Sequence, residues 1–228
     1  MTTNDSGRKT ETWVSIIVLG SLWGFSEVVL GAGLRTAGFP FASALLTAIG
    51  VGLMAIAVAR FSKPWTLPLI AVVAILCKQL VVPVLQVSVM CKANSCLAVL
   101  LQGLGLSATV AVAGKALRRG LPARAASGAA GALVGAIAFY PLGQRLAPCP
   151  YLTSFAQRGG LATFLTAEGI PWAALSALLF PAGYWLGSRL EGIAAMLRVR
   201  KPLLYYAANA ALVVLCWVAS VVTIAAGF

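Results

Sequence analysis

Two charged side chains stand where charge is costly. Glu27 falls about two-thirds of the way along an apolar run from Trp13 to Leu34, and Lys78 near the middle of another from Leu67 to Val87. Near the midplane of a bilayer a charge costs on the order of a few kcal/mol unless it is paired or wet. Both runs are expected to travel outward, so the two charges reach similar depth, and a Glu27–Lys78 ion pair keeps both ionised. Such a pair either locks two helices together or faces a polar cavity and touches a substrate. Gly20, Gly24, Glu27 and Gly31 are spaced four, three and four apart and share one helix face. Small residues let a second helix approach closely. The carboxylate is therefore expected at a protein interface, with Gly20, Gly24 and Gly31 as packing positions.

Other polar residues collect at the same end of their runs. Gln79 and Gln86 lie seven apart on one face, with Pro83 between them. Proline lacks an N–H, so the Gln79 carbonyl is expected to lose its helical partner and to line a site at a kink. Gln102, Tyr140 and Gln144 fall in the outer halves of their runs, and Glu168 lies just before another. The inner halves are apolar and small. This asymmetry predicts a polar pocket opening outward, with Glu27, Lys78, Gln79, Gln86, Gln102, Tyr140, Gln144 and Glu168 as candidate substrate-binding residues.

Of the five cysteines, Cys77 and Cys216 lie within apolar runs and read as small buried hydrophobes. Cys91, Cys96 and Cys149 fall in connections expected outside, an oxidising compartment for a bacterial inner membrane. Cys91 and Cys96 are close enough in sequence to bridge. The three thiols admit a structural staple, a soft-metal or cobalt ligand set, or a redox-active pair. With no histidine, a mixed His/Cys zinc site is excluded. The chain has no phosphate-binding Gly-Lys-Ser loop and no Gly-x-Ser-x-Gly elbow. Nothing local encodes enzyme chemistry, and no cofactor can be named.

The elements that must carry these residues follow from composition. The chain has 228 residues, 61% hydrophobic and 10% charged, with mean hydropathy +0.95. A soluble fold of this size cannot hide so much apolar surface. Apolar stretches of about 20 residues, the length that crosses a hydrocarbon core, recur throughout. We expect a single all-α membrane domain, a polytopic bundle of six or seven spans. They run about 13–34, 41–59, 67–87, 97–114, 128–146, 171–187 and 203–226. A polar tail (1–11) precedes them, Lys115–Ser127 reads as a loop, Ala147–Gly169 as a long connection and Ser188–Pro202 as a basic link. Tyr151–Thr166 is apolar enough for a re-entrant or interfacial helix. The first run carries Glu27 and no small-residue cleavage site, and reads as a retained helix rather than a secretory signal.

The net charge is +12, from 17 basic and 5 acidic residues. No basic stripe with interleaved aromatics accompanies it, which argues against a nucleic-acid partner. Basic residues instead mark the cytoplasmic side. With the N-terminus cytoplasmic, Arg8, Lys9, Arg60, Lys63, Lys115, Arg118, Arg119, Arg124, Arg189, Arg198, Arg200 and Lys201 face inward. Arg35, Lys92, Arg145 and Arg158 face outward. This pattern fits a multi-pass protein of a bacterial or archaeal cytoplasmic (inner) membrane.

In size, in the small-residue face of the first helix, in the stretch Leu22-Trp23-Gly24-Phe25-Ser26-Glu27 and in the long connections Val87–Cys96 and Ala147–Gly169, the chain resembles the membrane-embedded substrate-binding subunits (S-components) of energy-coupling factor vitamin transporters. The resemblance covers roughly the first six spans; a seventh span departs from it. It implies a pocket that opens outward beneath covering loops, a vitamin or metal-containing small molecule as substrate, and no ATPase within the chain. It further implies docking of the small-residue face on a transmembrane coupling subunit driven by cytoplasmic ATPases. Some cobalamin-binding relatives ligate cobalt through a cysteine, which would give Cys91, Cys96 or Cys149 a role. Two other readings stand beside it: a thiol–disulfide oxidoreductase passing electrons from outside cysteines to a membrane quinone, and a structural subunit of a membrane complex.

Overall fold

The computed structural model describes the backbone of residues 3–227, with side chains from Lys9. Met1 and Thr2, the start of the polar tail, lie outside the described residues, as does the side chain of Arg8. Eight helices account for the described chain. Helix α1 (Thr3–Phe25) continues through a π turn (Ser26–Leu30) and a last stretch (Gly31–Thr36). Then come α2 (Ala42–Phe61) and α3 (Thr66–Lys78, resumed over Val81–Leu85). A short 3-10 turn leads into α4 (Ala93–Ala113), and α5 spans Leu121–Leu146. The short α6 is Pro150–Ala156. Helix α7 runs Leu161–Phe164, through a second π turn (Leu165–Gly169), to Ile170–Arg200; α8 is Pro202–Ala225.

Seven of these, all but α6, are long and apolar enough to cross a membrane, and the chain is an all-α polytopic bundle. Its outer surface agrees. Val112 is 90% exposed and Leu203 83%, with Val199, Leu178 and Leu215 close behind. In water such a surface would invite association; in a bilayer it is the solvated one. Trp13 and Trp65, both half-exposed, meet at 6.3 Å with Lys63 over the Trp65 ring, an amphipathic girdle near the N-terminal end.

Six helices close a ring. Helix α1 packs on α3, α3 on α4, α4 on α5, α5 on α7, α7 on α2, and α2 back on α1. Every seam carries a glycine where a Cβ would collide with the neighbour. Gly20 and Gly24 lie against Ile70, Val73, Ala74 and Cys77, and Gly103 against Ala71. Gly105 meets Gly131 and Gly135, and Gly128 meets Ser176 and Phe180. Gly52 meets Leu179 and Gly183, and Gly50 lies against the indole of Trp23. Helix association inside lipid rests on such close approach rather than on burying apolar surface from water. Helix α8 sits outside the ring against α1, α3 and α7. It is tied on by Trp217 Nε1 to Ser21 Oγ (2.9 Å) and by a Cys77–Ser220 contact (3.4 Å).

At the N-terminal end the buried carboxylate of Glu11 takes Arg60 at 2.7 Å and Arg198, joining α1, α2 and α7. Arg60 also donates to Ser15 Oγ.

Several expectations change. The polar tail is helical from Thr3. The Lys115–Ser127 loop shrinks, because α5 starts at Leu121 with Pro122 in its first turn, where a missing N–H costs nothing. The basic link is helical through Arg200, since its Leu, Ala, Met, Glu and Arg are good helix formers. The long connection folds as α6 and the start of α7. The break in α3 is a full interruption at Gln79–Leu80, and the Gln79 carbonyl is not free: it accepts from the Val82 N–H at 3.0 Å. The small-residue face that the resemblance offers to a coupling subunit is filled from within the chain, by α3 against Gly20 and Gly24.

Candidate functional site

The glycine seam between α1 and α3 sets where the next residues of both helices come to lie. Past Gly20 and Gly24 the next residue on that face of α1 is Glu27, and past Cys77 the next on α3 is Lys78. The two side chains meet at 2.7 Å, with Lys78 9% and Glu27 12% exposed. They form part of the wall of a cavity of about 450 Å³ at the end of the ring away from the N-terminus. Helices α1 to α7 all contribute to it, and α6 reaches its rim.

Opposite the ion pair stands Glu168. Its Oε2 accepts from Ser43 Oγ at 2.5 Å and from Trp172 Nε1 at 3.1 Å. Tyr151 of α6 closes on the same carboxyl. Its phenol is pushed well above the ordinary tyrosine value, first by desolvation and then by the hydrogen bond to Glu168 and its charge. Glu168 is thus held by neutral donors, with no cation paired to it among the described residues. Arg35, at the mouth, makes no ion pair among them either. The floor and walls are aromatic: Trp23, Phe139 and Trp172, with Phe139 6.1 Å from Trp172.

Both carboxylates sit on π turns. In α1, Gly31 N–H reaches back five residues to the Ser26 carbonyl, and Ser26 Oγ donates to the Trp23 carbonyl just where the ladder widens. In α7, the Ile170 N–H reaches back to the Leu165 carbonyl. Pro171 follows; it cannot donate to the Ala167 carbonyl, and its ring needs the extra room there. Single π turns inside α-helices recur at functional sites.

Two buried donors lining the cavity lack an acceptor among the described residues. They are Trp23 Nε1 and Gln102 Nε2, on residues 1% and 2% exposed. Both atoms are enclosed within the wall, and Trp23 Nε1 lies against Gly50 of α2. The aromatic walls suit a small molecule with an aromatic or flat body. Its polar ends can take a carboxyl (Glu168) and a guanidinium (Arg35).

Of the residues expected from sequence, Glu27, Lys78, Gln102 and Glu168 come together in this cavity. Four others lie elsewhere. Gln79 spends its amide on the Val89 carbonyl and Cys96 Sγ. Gln86 caps the second piece of α3 in the left-handed region, exposed. Tyr140 is packed on Phe164 at 5.2 Å, and Gln144 donates to the Leu152 carbonyl. Gly31 faces Leu46 of α2 rather than α3 and lines the cavity. Sequence reasoning misses Ser43, Tyr151, Trp172, Trp23 and Arg35 as members of the site. One signal is available: Glu168 and Trp172 are four apart, on one face of a helix.

All five cysteines are free thiols. Cys91 is exposed, Cys149 partly buried, and Cys77, Cys96 and Cys216 buried. No group of three or more Cys, Asp and Glu side chains is placed to hold a metal ion among the described residues. No family model, curated protein or solved structure matches this chain.

Proposed function

We propose that the protein is a membrane-embedded binding subunit for a small, vitamin- or cofactor-like molecule, taken up from outside through the cavity at the end away from the N-terminus. One observation carries this: a cavity of about 450 Å³ whose walls gather the Glu27–Lys78 pair, Glu168 and the aromatic rings of Trp23, Phe139 and Trp172. Ligand sites are concave and mostly apolar, with a few polar groups placed to orient the occupant. The basic bias puts the N-terminal end in the cytoplasm, so the cavity opens outward. The S-component likeness supports the same reading. Here the coupling surface would have to be one other than the α1 face, which α3 occupies.

The test is native mass spectrometry of the full chain purified in mild detergent from its own host, with and without reductant. A retained small-molecule mass, lost in Glu168→Gln together with Trp172→Ala, is the expected result. A ligand-free protein that no vitamin in a panel stabilises against heat would overturn the reading.

A further inference from the structure

A second cavity lies at the opposite, N-terminal end of the ring. Its volume is about 670 Å³, and it opens between the α2–α3 turn (Ser62, Pro64), the end of α4 and α7. The 3-10 turn Gly114–Arg118 that follows α4 folds over it. Leu117 is buried as the plug of that turn, while Lys115, Arg118 and Arg119 are exposed around the opening. Arg124 stacks on Tyr184, which lines the cavity, at 4.1 Å and donates to the Leu117 carbonyl, so the turn is held in place.

The charge around this cavity is not balanced from within. None of the described acidic side chains lines it. Glu11 is taken by Arg60 and Arg198, Glu27 by Lys78, Glu168 lies at the far end of the ring, and Glu191, exposed on α7, neither lines the cavity nor makes an ion pair among the described residues. Lys115, Arg118 and Arg119 have no carboxylate among the described residues. Three cations gathered on one turn repel one another unless an anion joins them. The deeper wall is apolar, with Val58, Val110 and Ala111. One residue before Gly114 begins a second, apolar groove of about 420 Å³ between α4 and α5. Ala113, Val112 and Val134 line it, with Val112 almost fully exposed.

We propose that this cavity binds the phosphate headgroup of an anionic phospholipid, whose acyl chains lie in the adjoining α4–α5 groove. Basic pockets between membrane helices at the anionic leaflet take such headgroups, and the groove supplies what a soluble phosphate would lack. The site is independent of the ligand cavity at the other end.

The test uses the full chain in detergent, titrated with phosphatidylglycerol, phosphatidylcholine or inorganic phosphate. Retained lipid is counted by native mass spectrometry and thermal midpoints are followed. Phosphatidylglycerol should be retained and stabilising; the other two should not. In Lys115→Gln/Arg118→Gln/Arg119→Gln its affinity should fall about fivefold for each charge removed. Arg189→Gln/Arg200→Gln/Lys201→Gln removes the same charge from α7 and the residue that follows it, and should bind like the parent. Equal retention of phosphatidylcholine would overturn the proposal, as would stabilisation by inorganic phosphate alone or equal loss in both triple variants. If the first triple variant fails to fold, Arg118→Gln alone is titrated; an affinity unchanged from the parent overturns it too.

Discussion

Glu27 and Lys78 depend on each other more than any other pair in the cavity wall. Each is nearly buried, so removing one leaves a charge with neither water nor partner. Glu27→Gln or Lys78→Met alone should destabilise by about 3–5 kcal/mol, and the double substitution should recover most of that loss. Unfolding in detergent, followed by circular dichroism, reads the cycle; additive losses would mean that the two do not act as a pair. These residues were legible in the sequence because a charge in an apolar run has few explanations. Gln102 stood out as a polar side chain within an apolar run, and Glu168 as a charge just before one. Depth along a helix is legible, but direction around it is not. Gln79, Gln86, Tyr140 and Gln144 sit at similar depth and turn to the backbone, the surface or the aromatic core. Ser43 and Trp172 gave no signal of their own, since a serine or tryptophan is ordinary in a membrane helix. Only the fold reveals that they meet on one carboxyl oxygen.

Each helix carries its role in its small residues as well as its polar ones. Gly24 sits where a Cβ would strike Cys77, whereas Gly33, in the same helix, has open space around it. Gly24→Val should therefore cost about 1–3 kcal/mol by overpacking, and by separating α1 from α3 it should weaken the ion pair one turn on. Gly33→Ala should be neutral or stabilise by about 0.5–1 kcal/mol, because a helical glycine gives up more backbone freedom on folding than alanine. Thermal midpoints in one detergent compare them; equal effects would mean that the seam does not set the approach. Hydropathy located the seven long helices, because twenty apolar residues in a row have one use. It could not find their ends. The membrane sets where hydropathy falls, while helix propensity and capping set where the helix stops, and in α7 the two differ by several turns.

The six-helix ring and the eighth, peripheral helix differ in kind. All ring seams are glycine contacts, whereas α8 touches the ring through side chains such as Trp217 and Ser220. That division is not legible in the sequence: the last run lacks glycine, but so does the third (67–87), whose helix is part of the ring. The orientation of the whole molecule can be read at Cys91, which is exposed near the cavity end. A membrane-impermeant maleimide added to intact cells carrying Cys149→Ser should label it, as the basic bias requires. Labelling only after permeabilisation would turn the cavity toward the cytoplasm.

The two widened turns make the rim of the cavity sensitive to a kind of change that substitutions never sample. A π turn holds one residue more than the α-helix around it, so losing a single residue there lets the helix close up without breaking. In α1, deleting Val28 or Val29 would restore a regular ladder and turn everything after it by about 100° around the axis. Arg35 would swing away from the mouth while Gly20 and Gly24 kept their seam. A chain one residue shorter in this segment would keep the scaffold and change the charge at the cavity mouth. Length variation at Ser26–Leu30 would reshape the mouth of the cavity while leaving the glycine seam of α1 in place.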